Sequence, residues 1–409
     1  MSAAPAVFAP LFIVLAGIAS AFHIGKLPPA IGVLQQQLGV SLVEAGFLLS
    51  AVQFAAMACA IAMGAWSDSI GLRRGILFGL TLLALASFAG AFAQGATTLL
   101  ALRTVEGFGF LLVGSSAPAL MREIVPAERV NKMLGVWASH MATATALALL
   151  VGPIWIEAFG WRAWWLAAGA LSAAAAVGVA LGIPARARLP HAAASDAGAR
   201  DDGLRARVWR TITRPAPWLP ALAFCTYAFQ WLAVIGFLPV IFEQAGIAAG
   251  TRGVLTALAA AANVLGNVAA GRLLHAGWRA QTLLRIGLGA MTAMAIVAFA
   301  GADGGGAPAM VRYGAVLLFS AIGGLVPTTL FSLAVQAAPD TRTVSTGVGW
   351  MLQWSGAGQF AGPPAVAWVA SLAGGWHWTW AVTGAMACIG LLLTTVMAKV
   401  LPHRRAGPP

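Results

Sequence analysis

The chain has 409 residues, of which 60% are hydrophobic and only 9% charged, with a mean hydropathy of +0.85. A water-soluble domain of that composition would expose far more apolar surface than its core could hide, so the balance excludes an ordinary soluble enzyme and implies a protein built for lipid. The formal net charge of +12 raises nucleic acid as a partner, a possibility that the placement of the charges removes.

Apolar runs of about twenty residues recur from end to end, each long enough to cross a hydrocarbon core of about 30 Å as a helix. Twelve spans are predicted, at about 7–30, 42–63, 75–94, 98–121, 132–155, 163–184, 217–240, 250–271, 282–301, 311–335, 344–369 and 378–400. The fold class is therefore an all-α membrane protein. The first run has no basic segment before it and no small-residue cleavage site followed by a polar chain, so it reads as a retained helix rather than a signal peptide. Cys59, Cys225 and Cys388 each sit within an apolar run and read as small packing residues. With these spans, alternate loops collect Arg73, Arg74, Arg122, Arg129, Lys132, the arginines of the central polar stretch, Arg272, Arg279, Arg285, Arg342, Lys399, Arg404 and Arg405. By the positive-inside rule that side is the cytoplasm and both termini lie there, which places the chain in the cell membrane. The basic balance reports topology, with no nucleic-acid partner. Trp155, Trp161, Trp164, Trp165, Trp376, Trp378 and Trp380 gather at the opposite ends of the spans and read as an interfacial aromatic belt.

The only long polar stretch, 186–215, separates a six-span half (1–185) from another (216–409). The halves match in order: QLGV at 37–40 with QAGI at 244–247, Gly64 with Gly271, and Asp68 with His275. Further on, PAER at 126–129 meets PDTR at 339–342, Trp137 meets Trp350, and GWRAWW at 160–165 meets GWHWTW at 375–380. Ordered matches across so many spans indicate an internal repeat.

At this point the chain resembles the major facilitator superfamily of secondary transporters, which implies two pseudo-symmetric six-helix halves joined by a cytoplasmic loop. The loop after span 2 carries the most specific part of the resemblance, with Gly64, Asp68, Gly71, Arg73 and Arg74 at the family's positions, while Ser69 and Leu72 stand where basic residues are usual. Span 4 supplies a second part in Arg103, Glu106, Gly107 and Gly109, with Glu106 where glutamine is more common. The glycine-rich fifth span of many antiporters survives only as Gly152-Pro153, with Ala144 and Ala148 at two of its glycine sites. Two stretches, FHIGKLPPAIGVLQQQLGVS and GFLPVIFEQAGI, are similar to cyanate-permease-like members, a branch that handles small anions.

Polar side chains at mid-depth are the candidate functional residues, because burying them in lipid costs a few kcal/mol on insertion scales. Residues three apart lie about 60° apart on a helix, so His23 shares a face with Lys26, and Arg103 with Glu106. The resemblance implies that their helices line the cavity. Lys26 reads either as a cavity cation or as a side chain reaching to the interface. Arg103 and Glu106 read either as a structural pair or as a pair whose carboxylate exchanges a proton. His140 lies one turn from Trp137. The second half offers Tyr227, Gln230 and Trp231, Asn263 and Asn267, and Trp350, Gln353 and Trp354. Gly64, Asp68, Gly71, Arg73, Arg74, Gly271 and His275 read as gating elements, with Asp68 able to cap a helix or pair with a nearby arginine in one conformation only.

Cations in one half and amides and indoles in the other predict a solute with an anionic end and a flat or apolar body. The expectation is a monomeric secondary transporter of a small solute, an organic or inorganic anion first, with protons as coupling ion and no cofactor or metal. Efflux of hydrophobic drugs is the alternative within transport, and a non-transporting membrane sensor the alternative outside it. The sequence shows no metal-ligand spacing, phosphate-binding glycine loop or nucleophile elbow, so no enzyme activity is expected.

Overall fold

The computed structural model describes residues 4–126, 129, 133, 136, 137, 140–184, 203–301, 306–340 and 343–401, with side chains at 4–8 and 64–69 excepted. In the first half, α1 (Ala4–Gly25), a 3-10 turn (Pro28–Ala30), α2 (Ile31–Leu38), α3 (Leu42–Ser50), a second 3-10 turn (Ala51–Gln53), α4 (Phe54–Ile70), α5 (Leu72–Gly90), α6 (Ala96–Ile124) and α7 (His140–Gly182) follow in order. The short α8 (Leu204–Ile212) lies in the connecting stretch. The second half holds α9 (Pro215–Gln244), α10 (Ala249–His275), α11 (Ala280–Phe299), α12 (Ala309–Gly323), α13 (Leu325–Ala337), α14 (Val344–Ala373) and α15 (Thr379–Val400). Most of the polar linker, residues 186–202, lies outside the described residues.

Local chemistry explains the boundaries. Ser41 accepts a hydrogen bond from the Glu44 backbone at 3.2 Å, and Glu44 returns one by accepting from the Ser41 backbone at 2.8 Å. That reciprocal cap starts α3. Between α4 and α5 the chain turns at Gly71 with φ 90, a backbone region that a side chain disfavours.

Among the described residues, ten helical stretches are long and apolar enough to cross a membrane. One of them, the 43-residue α7, breaks at Gly160 (φ 81, ψ 164) and supplies two passes, and the 30-residue α14 adds another. The twelve expected passes are therefore present, but the fifth and sixth form one element turning at a single glycine where two helices and a loop were expected. Exposed Leu181, Phe92 and Leu372 show the apolar outer face that such a bundle presents to lipid.

Each half packs as its own bundle: α1 on α7 and α5 on α6 in the first, α9 on α14 and α11 on α12 and α15 in the second. The halves join through α3 and α4 against α14, and α10 against α7. Twelve alternating passes put the start of α1 and the end of α15 on one face, and several close contacts between the halves lie toward the other. There Phe47 meets Phe360 with ring centroids 6.2 Å apart, and a methyl group on Gly46 would come within 2.7 Å of Pro364. A methyl on Gly253 would come within 2.6 Å of the Leu150 carbonyl, and the Leu49 side chain occupies the space over Gly236. Toward the terminal face the approach is looser: a methyl on Gly349 would sit 3.6 Å from Ile61. Among the described residues the close contacts extend from that far face to mid-depth, where a methyl on Gly356 would come within 2.8 Å of the Met57 backbone nitrogen.

The aromatic belt needs correcting. Trp161, Trp164 and Trp165 are buried in the first half instead of lying at a lipid interface. The turn at Gly160 points them inward, where Trp161 donates to Gln37 Oε1 and Trp164 to the Lys26 carbonyl, each at 2.9 Å. Trp378, in contrast, is exposed. All three cysteines are free; Cys59 and Cys225 are half-buried, whereas Cys388 is exposed and does not pack inside the protein.

Candidate functional site

α1 ends at Gly25, and the chain bends through Pro28–Ala30. This brings His23 and Lys26 against the N-terminal part of α6, where Arg103 and Glu106 lie one turn apart. The four side chains form one cluster, each 0–1% exposed. Lys26 Nζ donates to Glu106 Oε1 at 2.5 Å, and Arg103 Nη1 donates to Glu106 Oε2 at 2.7 Å. His23 Nδ1 lies 3.2 Å from both Lys26 Nζ and Glu106 Oε1.

The surrounding helices complete the cage. Lys26 Nζ also donates to Ser87 Oγ on α5 at 2.8 Å, and the Ser87 hydroxyl donates in turn to the Trp165 carbonyl at 2.8 Å. The Trp165 ring lies under the ammonium with its centroid at 4.8 Å, a placement in which the ring quadrupole favours the cation. His23 Nε2 is 2.8 Å from Ser172 Oγ on α7. Arg103 further donates from Nη1 to the His23 carbonyl at 2.5 Å and from Nε to the Leu48 carbonyl at 3.2 Å, while its Nη2 is buried with no acceptor.

The cluster is thus built within the first half, from α1, α3, α5, α6 and α7. Lys26 points inward and does not reach an interface. One carboxylate faces two side-chain cations, so a positive charge is left over in a sealed, low-dielectric place where an uncompensated charge is costly. Such an arrangement can hold and release a proton.

The second half carries a separate network of neutral groups. Asn263 Nδ2 donates to the Tyr227 hydroxyl and to the Ser320 carbonyl, both at 2.9 Å. Asn267 donates to Asn263 Oδ1 at 2.8 Å and accepts from Thr328 at 2.9 Å, and Trp231 Nε1 donates to Ser320 Oγ at 3.2 Å. Gln230 donates to the Thr226 carbonyl at 2.9 Å, leaving its own Oε1 buried and unpartnered. Nearer the terminal face, Trp218, Trp350 and Trp354 form a three-indole group with centroids 4.8 to 5.9 Å apart. Trp350 Nε1 there is buried without an acceptor. Gln353 is half-buried on the same helix. In the first half His140 stacks on Trp137 at 4.2 Å and bonds its carbonyl at 2.6 Å through Nδ1.

Of the gating candidates, Gly71 makes the α4–α5 turn, and Arg73 donates to the Ile183 and Ala180 carbonyls at 2.7 and 2.8 Å. Those bonds tie the loop to the end of α7. Arg74, Gly271 and His275 are exposed, and the side chains at Gly64 and Asp68 lie outside the described ones. Ser87, Ser172, Ser320, Thr328 and Trp218 were not singled out in the sequence. A lone hydroxyl in an apolar run carries no periodic signal, and only the tertiary contact reveals it.

A family model described as Major Facilitator Superfamily matches residues 13–357. The methylenomycin A resistance protein of Streptomyces coelicolor is 31% identical over 130 residues, 32% of this chain and 27% of that protein. The methyl viologen resistance protein SmvA of Salmonella typhimurium is 32% identical over 152 residues, 37% of this chain and 31% of that protein. These matches span about a third or less of the relatives' own lengths. Among solved structures, a bacterial homologue of the human lysosomal transporter Spinster, inward-facing and unoccupied, superimposes with a TM-score of 0.79 over 100% of both chains at 14% identity. That likeness is one of fold. With the family model covering most of the sequence and a two-bundle architecture of long apolar helices in place, the chain belongs to the major facilitator superfamily.

Proposed function

We propose that the protein exports small, flat, largely apolar solutes, lipophilic cations included, in exchange for protons. In this reading the arginine-rich terminal face is cytoplasmic, and the close contacts at the far face make the described conformation inward-facing. One observation carries the choice of substrate class. Both membrane-embedded cations of the first half are engaged by Glu106 inside a sealed cluster, whereas the indoles Trp218, Trp350 and Trp354 lie beside Gly349, where the halves approach loosely. Flat apolar molecules bind well on such ring systems. The two resistance proteins to which the chain is similar support export.

A second reading, uptake of a small anion, is favoured by the positive charge left over in the cluster. The two readings separate in cells expressing the protein. Export predicts severalfold lower accumulation of ethidium than in control cells, with the difference lost when the proton gradient is collapsed. Unchanged ethidium together with gradient-driven uptake of labelled nitrate would favour the anion. Trp350→Ala is expected to weaken ethidium export several-fold, since truncating a stacking aromatic removes about 1–3 kcal/mol of contact.

A further inference from the structure

Glu106 is the obvious proton carrier in a membrane-embedded cluster, but its surroundings argue for another group. Both of its oxygens already accept from cations. Protonating either one would set an O–H against an ammonium or guanidinium donor and raise the net charge of the cluster from one to two. Loss of a proton from Lys26 instead leaves the Arg103–Glu106 pair and no excess charge.

The heavy atoms accommodate both proton states of Lys26 without moving. As an ammonium, Lys26 has three N–H donors and three acceptors: Glu106 Oε1 at 2.5 Å, Ser87 Oγ at 2.8 Å and His23 Nδ1 at 3.2 Å. His23 then carries its proton on Nε2 and donates to Ser172 Oγ at 2.8 Å. As an amine, Lys26 no longer needs the third acceptor. His23 can then carry its proton on Nδ1, donate to Glu106 Oε1 at 3.2 Å, and accept from the Ser172 hydroxyl at Nε2.

We propose that Lys26 is the proton-carrying group of this transporter, and that His23 and Ser172 form the relay through which its proton leaves the sealed cluster. An N–H bond of Lys26 breaks as one forms at His23 Nδ1. The Nε2–H bond breaks as an O–H bond forms at Ser172. Ser172 is itself buried in this conformation, so the proton it held before passes to water only once the cycle opens α7 around it, leaving Lys26, His23 and Ser172 all neutral.

The charged or titratable groups that face Lys26 are His23 on its own helix and Arg103 and Glu106 on α6. Next to them, α5 presents Ser87, α3 the Leu48 carbonyl, and α7 Trp164, Trp165 and Ser172. Arg162 on α7 is engaged elsewhere, stacked on Trp161 at 4.4 Å and donating to the Ala93 carbonyl. The proposal rests on the proton-linked reading above and gives it a coupling rule. A bound cationic solute disfavours the excess charge and the excess charge disfavours the solute, so each is released when the other binds.

The chain has three lysines, Lys26, Lys132 and Lys399. With Lys132→Arg and Lys399→Arg, lysine labelled with 13C at Cε gives a single side-chain NMR signal in the purified protein. That signal is expected to move between the ammonium and amine positions as pH is stepped, with exchange slowed by His23→Gln. A signal fixed at the ammonium position wherever the protein stays folded would overturn the assignment. In proteoliposomes, a pH gradient is expected to accelerate ethidium movement severalfold for the wild type, while Lys26→Gln keeps ethidium exchange and loses the acceleration. Equal acceleration of both proteins overturns the Lys26 assignment alone. No acceleration of the wild type overturns the proton-linked reading itself.

Discussion

Two cations share one carboxylate in the first half, and the consequences of removing each partner differ. Glu106→Gln leaves Lys26 and Arg103 without a counter-charge in a sealed site, and breaking a buried pair in that way costs about 3–5 kcal/mol. Lys26→Met leaves Arg103 and Glu106 paired and removes the excess charge, so its cost is expected to be small. Thermal unfolding of the purified proteins checks the order: a large fall in Tm for Glu106→Gln and a minor change for Lys26→Met, with the reverse order contradicting the charge count. The sequence made part of this legible. Three-residue spacing put His23 beside Lys26 and Arg103 beside Glu106. That the two pairs meet is a property of how α1 packs on α6, which no local pattern encodes. Ser87 and Ser172, the hydroxyls that complete the cluster, carried no sequence signal at all.

At the scale of the element, α7 shows where hydropathy stops being informative. Span five was expected to end at about 155 and span six to begin at about 163, and the reversal falls between them, at Gly160 with φ 81, inside an otherwise continuous element. The break was legible beside Glu157 and Arg162; that one glycine makes it without a separate loop was not. The tryptophans that follow it resembled an interfacial belt for the same reason, because their inward direction depends on that one backbone angle. Nothing lies within 4 Å of a methyl group placed on Gly160 or Gly71. Substitution there tests conformation without steric clash. Gly160→Ala and Gly71→Ala are each expected to destabilise by about 1–2 kcal/mol, the cost of holding an L-residue at positive φ. Unchanged unfolding of both variants would mean that the turns relax freely. The linker also holds structure that its polarity concealed. In LRARVWRTI, α8 exposes Trp209 and pairs Arg210 with Asp340 at 3.2 Å. As a surface pair it contributes about 0–1 kcal/mol.

For the molecule as a whole, α1 packs on α7 and α5 on α6 in one half, α9 on α14 and α11 on α12 in the other, and the halves meet through α3 and α4 against α14 and α10 against α7. Which face brings the halves together was not legible, because a repeat is symmetric and the closed state is a choice between two packings of the same surfaces. Among the described residues, the halves are in close contact at the face away from the termini, through Phe47 against Phe360 and the close approach at Gly46. Joining the halves there should trap that contact. With Cys59, Cys225 and Cys388 replaced, Phe47→Cys and Phe360→Cys linked by a short bifunctional thiol reagent are expected to abolish transport, while either single variant treated alike stays active. Activity surviving efficient cross-linking would mean that this contact does not open during the cycle.

If solute and proton movements are coupled through one alternating bundle, solute entry must move protons. Purified protein is placed in liposomes enclosing a pH indicator, with no initial gradient, and ethidium is added outside. Coupling predicts a change in internal pH that follows ethidium entry and is absent from protein-free liposomes. Ethidium entry through the protein with no change in internal pH would contradict it.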